Sequence, residues 1–340
     1  MNPHPAGPHT TSVRIDHESA VALAAATARK LARRCDLPGA LPEQAAVIAS
    51  ELASNLHKHA VDGVLYVQPL PLGGGLEIMA ADRGPGMPEP ARCLTDGFST
   101  TGSLGAGLGG VNRIATSFTL RTQAGTGTLA CARITLPGED QAARQEVGVV
   151  CLPAVGEQHS GDACAVADTG SVRTAIVVDG LGHGPQASEA AQTAVRAFHR
   201  DPGQPLPDVL TIVHRALRHS RGAAVGLLRL TAGRSVAEYC GVGNVRALTV
   251  SAHEVHRRLT GRAGVVGLSL PPLSTHVVPL PPGTTCVLHS DGVDARWARS
   301  PGLFVLRLPP PLLATALVHR HRITRDDATV LTARPPQRLP

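Results

Sequence analysis

One interval divides this chain. Pro137–Glu146 (PGEDQAARQE) is the only stretch of its length that is both polar and dense in charge. Apolar patterning runs on either side of it, so the 340 residues are expected to bury two cores of ordinary domain size rather than one. The boundaries read as a disordered lead-in over 1–12, a first domain over 13–136, a linker over 137–146, a second domain over 147–333 and a tail over 334–340. With aromatic residues at only 2%, both cores must be built from Ala, Val and Leu. Hydrophobic content of 43% against 17% charged belongs to folded protein and excludes wholesale disorder.

In the first domain, helical composition covers His17 to Leu37, and Pro42 opens a second helix running to Ala60. Short strands are expected at Val64 to Val67 and Leu76 to Ala81, then a glycine-rich span from Gly97 to Gly110. A helix and a hairpin from Phe118 to Leu136 follow. Helices followed by strands, with one helical face, make an α+β sandwich. In the second domain, strands are expected at Val147 to Pro153, Ala163 to Asp168, Val172 to Asp179, Ala224 to Leu230, Ser235 to Cys240, Val245 to Val250, Thr275 to Pro279, Thr285 to His289 and Ala328 to Thr332. Helices fall near Pro185 to His199, Leu206 to His219 and Pro311 to Val318. That order suggests a β-sandwich flanked by helices.

The net charge of +6 is scattered arginine and forms no basic stripe, and aromatic platforms for stacking bases are scarce. A nucleic-acid partner is therefore not expected. The seven cysteines contain no CxxC pair and mostly sit in apolar runs, as small core residues of a reducing compartment do. There is no apolar leader and no run approaching roughly 18 apolar residues. A cytoplasmic protein without a membrane partner is the expectation.

Three segments of the first domain carry chemistry: ELASNLHKHA (Glu51 to Ala60), DRGPGM (Asp82 to Met87) and STTGSLGAGLGG (Ser99 to Gly110). Glu51 and Asn55 are four apart on one helix and share a face. A carboxylate there can act as a general base, and the amide oxygen can ligate magnesium. An exposed polar helix face accounts equally well for the pair taken alone. Asp82 ends a strand ahead of Gly84 and Gly86, placing an acceptor for an exocyclic amine such as adenine N6 beside backbone that a flat ligand can approach. A plain strand-to-loop turn is the alternative. Gly105, Gly107 and Gly109 alternate before a helix, as a phosphate-facing lid would, but they lack the βαβ surroundings of a dinucleotide fold.

These segments, with Gly125-Thr126-Gly127-Thr128 in the last hairpin, occur in the order of the four boxes of the GHKL ATPase superfamily. Over about residues 12–136 the chain resembles its RsbT-like and anti-sigma-factor serine kinases. The resemblance implies a GHKL (Bergerat) α/β sandwich binding ATP and Mg²⁺, with Glu51 as base and Asn55 as the Mg²⁺ ligand. It further implies Asp82 and Thr128 as adenine contacts, Gly84 and Gly86 shaping the pocket, and Gly105, Gly107 and Gly109 as the lid. Lys58 either approaches a phosphate or is a solvated helix-end charge.

The second domain presents Asp162, Asp179, Asp291, and the adjacent Asp326 and Asp327, at expected strand ends. Any single Asp-Gly is a common turn. Four such positions in order could converge on two hard divalent cations, which activate a bridging water for hydrolysis of a phosphate ester. This arrangement resembles the PPM-type metal-dependent serine/threonine phosphatases of the SpoIIE and RsbX branch over 147–333. The resemblance implies two Mn²⁺ or Mg²⁺ ions held by Asp162, Asp179, Gly180, Asp291 and Asp326. Asp327 could exchange roles with Asp326, because strand alternation sends neighbouring side chains opposite ways. His183 is either an acid for the leaving group or a structural loop residue. No arginine between Val147 and Asp162 stands out to hold the substrate phosphate.

Together these imply a bifunctional partner-switching regulator that phosphorylates a STAS-domain (anti-anti-sigma or stressosome) protein and removes such phosphates, with a sigma factor as another candidate partner. Two alternatives stay open: a phosphatase regulated by an ATP-binding module that transfers no phosphate, and a phosphatase domain decayed into a scaffold.

Overall fold

The computed structural model describes residues 9–90, 107–136 and 146–336. The chain forms two compact units, divided between Gln141 and Ala142. The expected linker, apart from Glu146, falls outside the described residues. Among the described residues, no helix is long and apolar enough to cross a membrane.

The first unit is one antiparallel sheet in the order β1-β2-β3-β5-β4, formed by β1 (Thr11–Arg14), β2 (Val64–Pro69), β3 (Gly75–Ala81), β4 (Ser117–Gln123) and β5 (Gly127–Thr135). Helices α1 (Ser19–Arg34), α2 (Leu41–His59) and α3 (Gly107–Ile114) accompany it. Ala20, Ala24, Ala28 and Ala32 recur every fourth residue on the buried stripe of α1. Side chains this small let α1 and α2 pack closely, where large aromatics would hold them apart. Alternation in the strands sends Leu76, Ile78 and Ala80 into the same core as α2 residues Ile48, Leu52 and Leu56.

The opposite pleat carries a buried polar chain. The Thr10 hydroxyl donates to Gln68 at 2.5 Å, the Gln68 amide donates to Glu77 at 2.8 Å, and Arg133 Nε donates to Glu77 at 2.6 Å. The lead-in expected over 1–12 is corrected here, because Thr11 and Ser12 pair with Val67 and Tyr66 in β1. Val13 is the only buried residue of that strand, too little for apolar alternation to reveal it.

The second unit is two antiparallel sheets, ordered β13-β10-β9-β8-β7 and β12-β11-β14-β15-β6. The strands are β6 (Val147–Leu152), β7 (Asp162–Asp168), β8 (Val172–Gly180), β9 (Ala223–Thr231), β10 (Val236–Val242), β11 (Arg246–Val250), β12 (Val255–Thr260), β13 (His276–Pro279), β14 (Thr285–His289) and β15 (Ala328–Ala333). Helices α4 (Pro185–Phe198) and α5 (Leu206–Ala216) cover the first sheet, a short α6 spans Leu303–Leu306, and α7 (Pro310–His321) packs on β6 and β15 of the second. The strands away from the β12 and β13 edges bury both pleats, one against the helices and one against the facing sheet, so they read as continuous apolar runs. β12 escapes sequence reading because VHRRLT lies at a sheet edge with its middle three residues exposed. The tail expected from 334 begins inside the fold, since the Arg334 amide donates to the Glu146 carbonyl at 2.9 Å.

Candidate functional site

Four of the five aspartates singled out in the second unit meet at one end of its sandwich. Asp162, which opens β7, is the cross-strand partner of Asp179 near the end of β8. Asp291 follows β14 and Asp326 precedes β15, and these two strands are neighbours in the other sheet. A β-sandwich aligns strand ends of alternating direction, which is how residues so distant in sequence come together.

Asp162 is 1% exposed and accepts from the Ser290 hydroxyl at 2.6 Å. Burial pushes its carboxyl well above the usual range, the Asp179 charge adds to the rise, and the Ser290 hydrogen bond opposes it. Asp179 is pushed up to about 7, first by burial, then by Asp291, which lies within hydrogen-bond reach, and by Asp326. Asp326 is raised by burial and again by Asp291. The carboxylates are crowded without enough positive charge to balance them.

Asn244 was not found by sequence reasoning. Its amide donates to Asp291 at 2.7 Å and lies near enough to Asp179 to counter part of the rise in its carboxyl. The signal available was Gly241-Val242-Gly243-Asn244, a glycine-bracketed amide between two strands.

Asp327 has a different occupation. Its Oδ1 accepts from the Ala154 amide and its Oδ2 from the Gly161 amide, both at 2.7 Å, so it anchors the β6–β7 loop while Asp326 faces Asp291. Gly180 is packed where a Cβ would meet the Ala187 carbonyl at 2.5 Å, bringing the first turn of α4 against the strand end. Gly292 abuts the Asp327 carbonyl so closely that no side chain fits. His183 lies between two positive-φ glycines, Gly182 and Gly184. Its side chain is 83% exposed, with Nδ1 3.9 Å from Glu157, and it stands outside the carboxylate network.

Among the described residues, no three His, Cys, Asp or Glu side chains form a ready cation cage. The donor chemistry nevertheless fits a hard divalent ion. It consists of oxygen ligands alone, on carboxylates whose proton affinities are raised by mutual repulsion, which a cation would relieve.

In the first unit the strand-end and hairpin groups are brought together. The Asp82 amide donates to the Thr128 carbonyl at 3.0 Å, and the Asp82 carboxylate accepts from the Gly84 amide at 2.6 Å. Thr128 and Thr122 share a hydroxyl hydrogen bond at 3.1 Å. Gly86, at φ +78°, sits where a Cβ would meet the Gln123 carbonyl at 2.5 Å. Glu51 and Asn55 are half-buried on α2, which packs on β3 and α3. Burial pushes the Glu51 carboxyl up and Lys58 pulls it partly back. The Asn55 side-chain nitrogen is buried without a hydrogen-bond partner. Lys58 is exposed at the end of α2. Gly107 and Gly109 lie in α3, and Gly105 is outside the described residues. Among the described residues these groups enclose no nucleotide pocket. The open depression of about 430 Å³ in this unit runs along α1, lined by Ala26, Arg29, Lys30, Arg33 and Arg34. It is a solvated helix face, with Arg29 and Arg33 paired to Glu43.

The family model for stage II sporulation protein E (SpoIIE) matches residues 170–336. The chain is 24% identical over 124 residues to the phosphoserine phosphatase RsbX of Bacillus subtilis (strain 168), a match covering 36% of this chain and 62% of the relative. It is 46% identical over 81 residues to the serine/threonine-protein kinase RsbT of the same organism, covering 23% of this chain and 61% of that relative. The chain thus spans under two thirds of the length of each. A solved structure from work on the bacterial stressosome as a modular system adapted to control secondary messenger signalling superposes with a TM-score of 0.51. Its sequence identity is 28%, and the match covers 56% of this chain and 98% of that one.

Fold and comparisons together support a PPM-type β-sandwich with flanking helices in the second unit. Within that class the likeness is to SpoIIE and RsbX. A GHKL identity for the first unit rests on the partial RsbT identity and not on its shape.

Proposed function

We propose that the second unit is a divalent-cation-dependent phosphatase that hydrolyses phosphoserine or phosphothreonine on a STAS-domain partner, and that the first unit is an ATP-binding module that regulates it. The convergence of Asp179, Asp291 and Asp326 around Asn244 carries this reading. Asp179, Asp291 and Asp326 would hold the cations, with Asp162 supporting Asp179 from below and the Gly180 backbone beside it. Bound cations would supply an activated water and neutralise charge on a phosphate ester. Asn244 orients Asp291 beside Asp179, and Asp327 holds the loop that carries Gly161 and Asp162. His183, on the exposed loop, is the candidate to protonate the leaving serine oxygen. The partner is drawn from the RsbX and stressosome likenesses, and a cytoplasmic location accords with both.

For the first unit, Asp82 and Thr128 with Gly84 and Gly86 would receive adenine, and Asn55 would complete Mg²⁺. A second reading, ATP-dependent phosphorylation of the same partner with Glu51 as base, is favoured by the 46% identity to RsbT and by the raised Glu51 carboxyl.

The full chain with Mn²⁺ is expected to hydrolyse p-nitrophenyl phosphate and to lose that activity in Asp179→Asn and Asp291→Asn. Absence of hydrolysis by folded, Mn²⁺-treated protein would refute the phosphatase. Labelled ATP distinguishes the two readings of the first unit. Binding without transfer to a STAS protein means a regulatory module, whereas transfer abolished by Glu51→Ala with ATP binding retained means a kinase.

A further inference from the structure

Between Val147 and Asp162 the sequence offers no arginine or lysine to receive a substrate's phosphate, but the fold supplies one from elsewhere. In the β8–β9 ladder Asp179 pairs with Ala224 and Gly180 with Ala223. Pairing continues past the strand ends, where the Leu181 amide donates to the Gly222 carbonyl at 3.1 Å. The next step brings Arg221 opposite Gly182, three residues beyond Asp179. A methyl group placed on Gly182 would lie 2.8 Å from Arg221 Nη1 and 4.0 Å from its Cζ. The guanidinium therefore lies against the glycine loop that leaves the carboxylate cluster.

Three other arginines of this unit are committed. Arg173 is bound to Asp168, Arg229 to the Pro202 and Gln204 carbonyls, and Arg258 to the Ala298 carbonyl. Arg221 is exposed, and among the described residues its guanidinium has neither a carboxylate nor a carbonyl partner. Gly182 has φ +87° and no side chain, so the space above it is open to a ligand as well as to the arginine.

We infer that Arg221 is the phosphate-binding residue of this site, donating two N–H bonds to phosphoryl oxygens of a phosphoserine or phosphothreonine monoester while the aspartates hold the cations. A guanidinium presents paired donors in the geometry that phosphate accepts. Placing it across the ladder from Gly182 sets it against the loop that follows Asp179 without adding a protein cation among the ligands. This rests on the phosphatase reading above and adds its substrate-holding group.

The test uses the full Mn²⁺-loaded chain, with p-nitrophenyl phosphate as substrate and inorganic phosphate as competing ligand. Loss of a charge-assisted bond pair predicts that Arg221→Ala raises KM and the inhibition constant for phosphate by about tenfold or more. Mn²⁺ affinity measured by calorimetry and the melting temperature should stay unchanged. Arg221→Lys should recover part of the loss, and added guanidinium should partly rescue Arg221→Ala. Unchanged phosphate inhibition in Arg221→Ala, with wild type active, overturns the assignment and leaves the phosphatase standing. The assignment also falls if Arg325→Ala, at the other cation of this end, weakens phosphate binding and Arg221→Ala does not. A folded wild type that hydrolyses nothing overturns the phosphatase reading and the arginine's role with it.

Discussion

Replacing Asp179 by Asn should make the cation-free protein more stable while abolishing hydrolysis. The Asp179 carboxyl is displaced from 3.8 to about 7 by burial and by Asp291 and Asp326. That displacement disfavours the ionised form by about 4 kcal/mol, and water reaching the partly exposed side chain trims this to about 2–4 kcal/mol. The folded state holds its proton more tightly than the unfolded chain. Stability is therefore full below pH 3.8 and falls as pH rises to about 7, because between those values the native state binds the extra proton. At pH 8 the wild type bears the whole cost and the amide variant none. For a domain of this size the gain corresponds to a rise of roughly 5 °C or more in the melting temperature. The assay is calorimetry of EDTA-treated wild type and Asp179→Asn at pH 5 and pH 8, with and without Mn²⁺. The wild type should lose stability between the two pH values and regain it with Mn²⁺, whereas the variant should be flatter in pH and indifferent to Mn²⁺. A cation-free variant that melts below wild type at pH 8 would refute the claim that uncompensated carboxylate repulsion dominates this site.

Asn244→Ala removes the amide that donates to Asp291 near Asp179 and should weaken Mn²⁺ binding by about tenfold, as loss of an orienting partner does elsewhere; calorimetric titration reads this directly. Asp327→Ala strips acceptors from the Ala154 and Gly161 amides and should destabilise the second unit by about 2 kcal/mol or more, visible in urea unfolding. In the first unit, Glu77→Ala leaves Arg133 buried without its carboxylate and should destabilise that unit by about 3–5 kcal/mol. Thermal unfolding followed by circular dichroism would show it, and an unchanged melt would mean that water reaches Arg133.

Helices and central strands were legible because their apolar patterning is strong, and the aspartates were legible because each ends such a run. Less visible were elements with little to bury. β1 hides one side chain, and β12 is a basic edge strand, so neither carries an alternation for sequence reasoning to detect. Asn244 and Arg221 were missed for another reason. Neither residue type nor spacing marks them, and each matters only through what faces it across a loop or ladder.

Local chemistry and periodicity, readable in sequence, determined that this chain has two cores of small aliphatic residues, that one part carries Glu51 and Asn55 on one helix face and Asp82 at a strand end, and that the other carries aspartates at strand ends. Tertiary structure decided which aspartates share charge and which serve the scaffold. Asp326 and Asp327 are adjacent, yet the turn leading into β15 sends one toward Asp291 and the other onto the amides of Ala154 and Gly161. Repulsion among carboxylates depends on distances that packing of the two sheets sets, and the nearness of Arg221 to Gly182 depends on the β8–β9 pairing.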